Sequence, residues 1–135
     1  MFGDESPGFK KRDMQKRAEI IRESDPNVLI SVHLNKYTSS SRRGAQVFYK
    51  SDSESSKNLA DSIQKNLNQK LSVKKNYTAL KGDYFLLNTS KCTAVIVECG
   101  FLSNKEEEQL LCNEDYRQNI ANVIFEGTIN YLSYS

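Results

Sequence analysis

Long hydrophobic runs are missing from this sequence. No apolar stretch approaches the roughly 20 residues that a helix needs to cross a bilayer, and Met1–Pro7 contains no apolar core of the kind found in a signal peptide. A net charge of +2 is too small to indicate a polyanionic partner. The basic residues near the start of the chain are better explained as the solvated face of a helix; they are Lys10, Lys11, Arg12, Lys16 and Arg17.

Cysteines are few, and they cannot all be paired in disulfide bonds. The three cysteines, Cys92, Cys99 and Cys112, are odd in number and lack the spacing of a zinc module. A full disulfide framework is therefore excluded. Cys99 follows closely on a hydrophobic run, and we expect it to pack as a small apolar residue.

Several motifs with a known chemistry are also absent. The sequence has no glycine-rich phosphate loop, no His-Glu-x-x-His helix and no recognisable nucleic-acid-binding module. We therefore expect no nucleic-acid partner. A Ser-His-Asp arrangement that uses Ser31 or Ser103 stays open, although the Gly-x-Ser-x-Gly turn that presents such a serine is missing.

The patterns that are present predict one globular α/β domain. A hydrophobic share of 38% and a charged share of 27% over 135 residues are typical of a single folded domain with a core. Because helical and strand-like periods alternate, we expect an open, largely parallel, twisted sheet flanked by helices. Residues 72–91 are weakly patterned, which favours a binding surface there. The predicted strands are 28–33, 46–49 and 93–98, and the predicted helices are 10–23, one beginning at 52–54, 105–111 and one from 116 toward 131.

Two polar residues follow directly on apolar strands. Val28–Val32 leads into His33, the only histidine, and Ala94–Val97 leads into Glu98. The first run is apolar on both faces, as in a buried parallel strand, and open α/β sheets bind ligands at the carboxyl ends of such strands. A carboxylate after four apolar residues is costly unless it is partnered or used. The pair therefore favours a metal-assisted hydrolase over two plainer readings, a structural histidine and a glutamate that caps a helix or pairs with an arginine.

These residues lie within segments that resemble a known family. Ser31–Asn35, Ser-Val-His-Leu-Asn, resembles the Ser-Ile-His-x-Asn motif of the zinc-dependent N-acetylmuramoyl-L-alanine amidases. Val97–Asn104 is similar to their signature Val-Glu-x-Gly-Phe-Leu-Ser-Asn, and Arg43–Tyr49 is similar to the strand after their serine-rich loop. The similarity extends over nearly the whole chain, and Tyr84–Ser103 most resembles the spore-cortex, germination-specific branch.

The resemblance implies a peptidoglycan hydrolase that uses Zn²⁺ to cleave the amide bond between N-acetylmuramic acid and the L-alanine of the stem peptide. It makes His33 a zinc ligand and Glu98 the catalytic carboxylate, which takes the proton of the zinc-activated water and returns it to the departing nitrogen. Asn35 and Phe101 are candidate substrate-binding residues. The resemblance also implies action on the cell wall outside the cytoplasmic membrane and a glycopeptide substrate. It is compatible with an activating protein partner.

Two of the family's zinc ligands have no counterpart in this sequence. The family holds its zinc with two histidines and a glutamate, whereas this chain has one histidine and no Asp-Pro-Gly-His-Gly-Gly loop. We therefore expect residues 1–135 to be the C-terminal part of one amidase domain, without its first β-α-β unit and inactive as given. The alternative is a non-catalytic remnant of such a domain that binds cell wall or a protein partner.

Overall fold

The described part of the molecule is an α/β structure, as the sequence predicts. A computed structural model describes residues 9–35, 44–71, 76–89, 91–101 and 104–134. None of the helices in these ranges has the length and hydrophobicity of a membrane span. In chain order the elements are α1 (Phe9–Ser24), β1 (Val28–Asn35), β2 (Gln46–Lys50), α2 (Glu54–Lys70), β3 (Leu80–Gly82), α3 (Phe85–Thr89), β4 (Thr93–Phe101), α4 (Lys105–Leu111) and α5 (Glu114–Tyr134).

The described strands form one sheet with the order β1-β4-β2-β3. β1 is parallel to β4 and β3 is parallel to β2, while the central pair β2 and β4 is antiparallel. The sheet is therefore mixed, with parallel pairing on both sides of one antiparallel junction. Apolar runs predict that a strand is covered on both faces but leave its direction open, and this explains why the antiparallel pair was not foreseen.

One face of the sheet is covered by α2 and α5. Leu59, Ile63 and Leu67 recur at helical spacing on α2 and are buried in the main hydrophobic core. Gly127 of α5 lies so close to α2 that a Cβ atom there would stand 2.9 Å from the Cα of Ile63. The two helices therefore depend on a glycine at their contact. Residues of the sheet and of α5 that belong to the same core include Val47, Val95, Val97, Ile120, Val123 and Ile124.

The opposite face of the sheet carries a smaller core. Leu87 of α3 packs there with Ala94 and Ile96 of β4, and Leu29 and Phe48 flank them. α1 packs against α3 on this side. The predicted helices are confirmed, and α4 has the predicted bounds because Asn104 caps it, accepting a hydrogen bond from the backbone N–H of Glu107 at 3.2 Å.

β1 is less buried than its sequence predicts. It lies at the edge of the described sheet, and the side chains of Val32 and Leu34 are 57% and 46% exposed. They line one side of an apolar groove of about 460 Å³ that α5 borders on the other side, with Phe125 at its rim. The expectation of a strand buried on both faces is therefore wrong for the carboxyl half of β1, because no described element covers that half.

Candidate active site

His33 and Glu98 lie side by side on the same face of the sheet. They are register partners in the parallel pair of β1 and β4, and neighbouring strands run about 4.8 Å apart. Successive side chains of a strand alternate between faces, so Val97 points into the main core while Glu98 points toward the side of α1 and α3. The structure thus brings together, toward the carboxyl ends of two neighbouring strands, two residues that are 65 positions apart in the sequence.

The His33 ring is half-buried and held by a neighbour on its own strand. Its Nε2 atom lies 2.8 Å from the hydroxyl of Ser31, two residues earlier on the same face. Burial lowers the pKa of His33 from its ordinary value, and the positive charge of Arg17 on α1 lowers it further. The imidazole is therefore neutral at neutral pH, which is the form that binds metals and accepts protons.

The contact between Ser31 and His33 does not make Ser31 a nucleophile. A catalytic serine is presented at a sharp turn where its hydroxyl is open to substrate. Ser31 lies instead within β1, four residues before the strand ends. The other serine considered from the sequence, Ser103, lies outside the described residues.

Glu98 combines burial with a carboxyl group whose pKa lies near neutrality. Its side chain is only 3% exposed. Burial raises the pKa of Glu98 from its ordinary 4.5 to about 7, because water no longer stabilises the charged form. A group with a pKa near the working pH can both accept and return a proton efficiently, as a general base requires.

Tyr84 is a residue of this site that the sequence interpretation did not single out. Burial raises the pKa of its phenol, and the charge of Glu98 raises it further. The ring of Tyr84 packs edge-on against Phe48, with ring centres 5.6 Å apart. Gly82 makes room for it, since a Cβ there would stand 2.5 Å from the ring. The weakly patterned segment 72–91 thus brings an aromatic residue to the candidate site.

Asn35 and Phe101 meet at the far ends of β1 and β4. Their backbones are register partners beyond a local irregularity: β1 advances by two residues from His33 while β4 advances by three from Glu98. The extra residue on β4 is a β-bulge, a feature that is common beside active sites because it redirects the strand. Both positions therefore lie at the same sheet edge as the His33–Glu98 pair.

Cys99 faces away from this edge. It is 3% exposed in the main core, and burial, with a contribution from the charge of Glu98, raises the pKa of its thiol to about 12. A protonated thiol is neither a metal ligand nor a nucleophile. The prediction that Cys99 packs as an apolar residue is confirmed.

The described residues do not form a complete metal site. Within them, no group of three or more histidine, cysteine, aspartate or glutamate side chains is placed to hold a metal ion. Catalytic zinc takes three protein ligands and a water. His33 with its neighbour Glu98 is one imidazole and one carboxylate, so further ligands would have to come from elsewhere.

Known proteins share both the sequence and the fold of this chain. The model of the N-acetylmuramoyl-L-alanine amidase family matches residues 3–130. The chain belongs to this family. It is 33% identical over 125 residues to the germination-specific N-acetylmuramoyl-L-alanine amidase of Bacillus subtilis (strain 168), a match that covers 92% of this chain and 52% of that protein.

Solved structures support the same assignment. The CwlD amidase from Clostridioides difficile, in complex with the GerS lipoprotein, matches with a TM-score of 0.90 and 37% identity over 93% of this chain and 64% of that chain. An N-acetylmuramoyl-L-alanine amidase from Clostridium difficile 630 matches with a TM-score of 0.83 and 30% identity over 89% and 65% of the two chains.

These amidases confirm two predictions and set a limit. The resemblance to the family, including its germination-specific branch, and the α/β fold class are both confirmed. The chain spans about half of the Bacillus relative (52%) and 64% of the CwlD chain.

Proposed function

We propose that this chain is the C-terminal part of an amidase domain that cleaves peptidoglycan between N-acetylmuramic acid and L-alanine, on the cell wall outside the cytoplasmic membrane. The observation that carries the proposal is the register pairing of His33 and Glu98 on one face of the sheet. Membership of the family supports the reaction class. The likeness of the segments around His33 and Glu98 to the family's two motifs supports the roles of zinc ligand and catalytic carboxylate for them.

In this proposal Glu98 moves the proton. With a pKa of about 7, it takes a proton from the water that attacks the lactyl-amide carbonyl and returns it to the departing L-alanine nitrogen. His33 offers a neutral imidazole as one ligand of the zinc ion. Asn35 and Phe101, at the adjoining strand ends, would contact the glycopeptide.

The remaining zinc ligands would come from a β-α-β unit that precedes this part of the domain. The position of β1 at the edge of the described sheet supports such a unit, because an edge strand offers unpaired backbone groups for a further strand. The apolar groove beside it, with Val32 57% and Phe125 66% exposed, offers a surface that a helix would bury. When bound in the completed site, zinc would supply the Lewis-acid activation of water.

A second candidate is a non-catalytic domain that binds cell wall or another protein. The incomplete donor set of the described residues favours it. The CwlD structure contains the GerS lipoprotein, and we propose that this chain, too, has a protein partner in either case.

The deciding experiment adds the proposed β-α-β unit to the chain. We would join to residues 1–135 the segment that precedes the matched region in the Bacillus subtilis relative, add zinc, and measure the amino groups released from peptidoglycan. We expect hydrolysis, and a loss of roughly 10²–10⁴-fold for Glu98→Gln with zinc still bound. Glu108→Gln, which makes the same substitution at an exposed position on α4, is the matched control. Near-normal turnover by Glu98→Gln would remove Glu98 from the mechanism.

A further inference from the structure

Glu107 is a buried carboxylate that the proposed reaction does not use. It is the third residue of α4, and its side chain is fully buried (0% exposed). Its Oε1 accepts a hydrogen bond of 2.5 Å from the backbone N–H of Gly44, 63 positions earlier in the chain. Burying a carboxylate is costly unless it is hydrogen-bonded, and a backbone N–H bonded to a charged acceptor is a strong contact. The contact therefore ties α4 to the segment that leads into β2.

Gly44 stands just before the residue that pairs with Glu98. Its φ of 93° lies in the left-handed region that glycine adopts without strain. Two residues later, Gln46 is the register partner of Glu98 in the antiparallel pair of β2 and β4. Gln64 of α2 holds the same segment, accepting a hydrogen bond from the N–H of Val47 at 2.8 Å.

The same carboxyl group also packs on β4. A Cβ atom at Gly100 would stand 3.3 Å from the Cδ of Glu107, closer than an ordinary van der Waals contact. Gly100 lies two residues after Glu98, as Gly44 lies two residues before Gln46. Because β2 and β4 run in opposite directions, Gly44 and Gly100 lie on the same side of the Gln46–Glu98 pair, each two residues from it. Glu107 contacts both glycines there.

We propose that Glu107 is a positioning residue: by binding Gly44 and packing on Gly100, it holds β2 and β4 together at the Gln46–Glu98 pair and so keeps Glu98 in its place on the ladder. The inference rests on the proposed function, because only a catalytic Glu98 needs this placement. Its test, however, reads the geometry of the chain itself, without metal or substrate. An inactive amidase and a failed positioning role therefore give different results.

The test uses the six glycines of the chain as reporters. With ¹⁵N-glycine labelling, the Gly44 and Gly100 amide signals of Glu107→Ala should shift, and exchange of the Gly44 amide with solvent should accelerate by about tenfold or more. The signals of Gly82 and Gly127 should stay in place. Glu108→Ala, an exposed neighbour on the same helix, is the matched control and should leave all of them unchanged.

The pairing at this end of the ladder is read from nuclear Overhauser contacts between the strands. In Glu107→Ala the contact between Gln46 and Glu98 should weaken or disappear, while that between Phe48 and Ile96, further along the same ladder, should persist. Glu107→Gln keeps an acceptor of the same length and should restore the Gln46–Glu98 contact. A merely structural residue would lower stability without changing this one contact.

Two results would overturn the proposal. One is a Glu107→Ala variant that keeps the Gly44 signal and the Gln46–Glu98 contact. If that variant does not fold, Gly100→Ala decides: its added methyl group would stand 3.1 Å from Leu111 and 3.3 Å from the Glu107 carboxyl group, and it leaves Glu107 in place. A displaced Gly44 signal in Gly100→Ala supports the positioning role, and an unchanged Gly44 signal contradicts it.

Discussion

Replacing Glu98 by glutamine should change how stability depends on pH. Burial raises the pKa of Glu98 from 4.5 to about 7, so the folded chain keeps this proton to a higher pH than the unfolded chain does. Between these pH values unfolding releases a proton, and the free energy of unfolding falls as the pH rises. Glu98→Gln has no proton to lose, so it should gain stability relative to the wild type over this range.

The magnitude follows from the two pKa values. They differ by about 2.5, which at about 1.4 kcal/mol per unit corresponds to about 3 kcal/mol. Because His33 beside it is only half-buried, water reaches the pair and weakens the effect, so we expect about 1–3 kcal/mol. The lowered pKa of His33 makes stability rise with pH below 6.5, but this contribution is common to both chains and cancels in their difference.

Urea unfolding in the presence of a chelator measures this difference. The free energies of unfolding of the wild type and Glu98→Gln would be compared from pH 5 to pH 8, with the exposed-residue variant Glu108→Gln as control. Glu98→Gln should become the more stable relative to wild type as the pH rises, and the change should level off above pH 8. A difference that is constant with pH, or that changes in the opposite direction, would refute the argument that Glu98 is desolvated.

Three further predictions concern the packing, the thiols and the metal. Gly127→Ala should destabilise the chain by about 1–3 kcal/mol in urea unfolding, because its Cβ would stand 2.9 Å from the Cα of Ile63; an equal or higher stability would contradict this contact. A thiol reagent should label the exposed Cys112 in the folded chain and the buried Cys99 only after unfolding. Peptide mass mapping identifies the labelled cysteine, and labelling of Cys99 before Cys112 would contradict the prediction. Isothermal titration of residues 1–135 with zinc should show weak binding that is lost in His33→Ala, whereas tight one-to-one binding would show that the chain holds a complete site.

The sequence places the His33–Glu98 pair because each residue directly follows a run made wholly or mostly of apolar residues. Such runs predict strands, and strand ends predict where side chains gather. The bounds of α4 follow from Asn104, whose capping side chain marks the first turn. At these positions the local sequence, an apolar run or a capping side chain, is enough to predict the structure.

The rest depends on contacts between distant segments. β3 and α3 are three and five residues long, too short to show a period. The ring of Tyr84 lies over Gly82, where a Cβ atom would stand 2.5 Å from it, and no local pattern predicts this contact. The link from Glu107 to Gly44 likewise joins residues that no spacing in the sequence connects.

The exposed edge of β1 also has a consequence for handling the isolated chain. Natural edge strands commonly carry a proline or a charged side chain, such as a lysine, that blocks pairing with a strand of another molecule. β1 reads Val-Leu-Ile-Ser-Val-His-Leu-Asn and contains neither a proline nor a permanently charged side chain. Concentrated solutions of this chain should therefore form intermolecular sheets and precipitate, and dilution or a short peptide that caps the edge should keep the molecules apart.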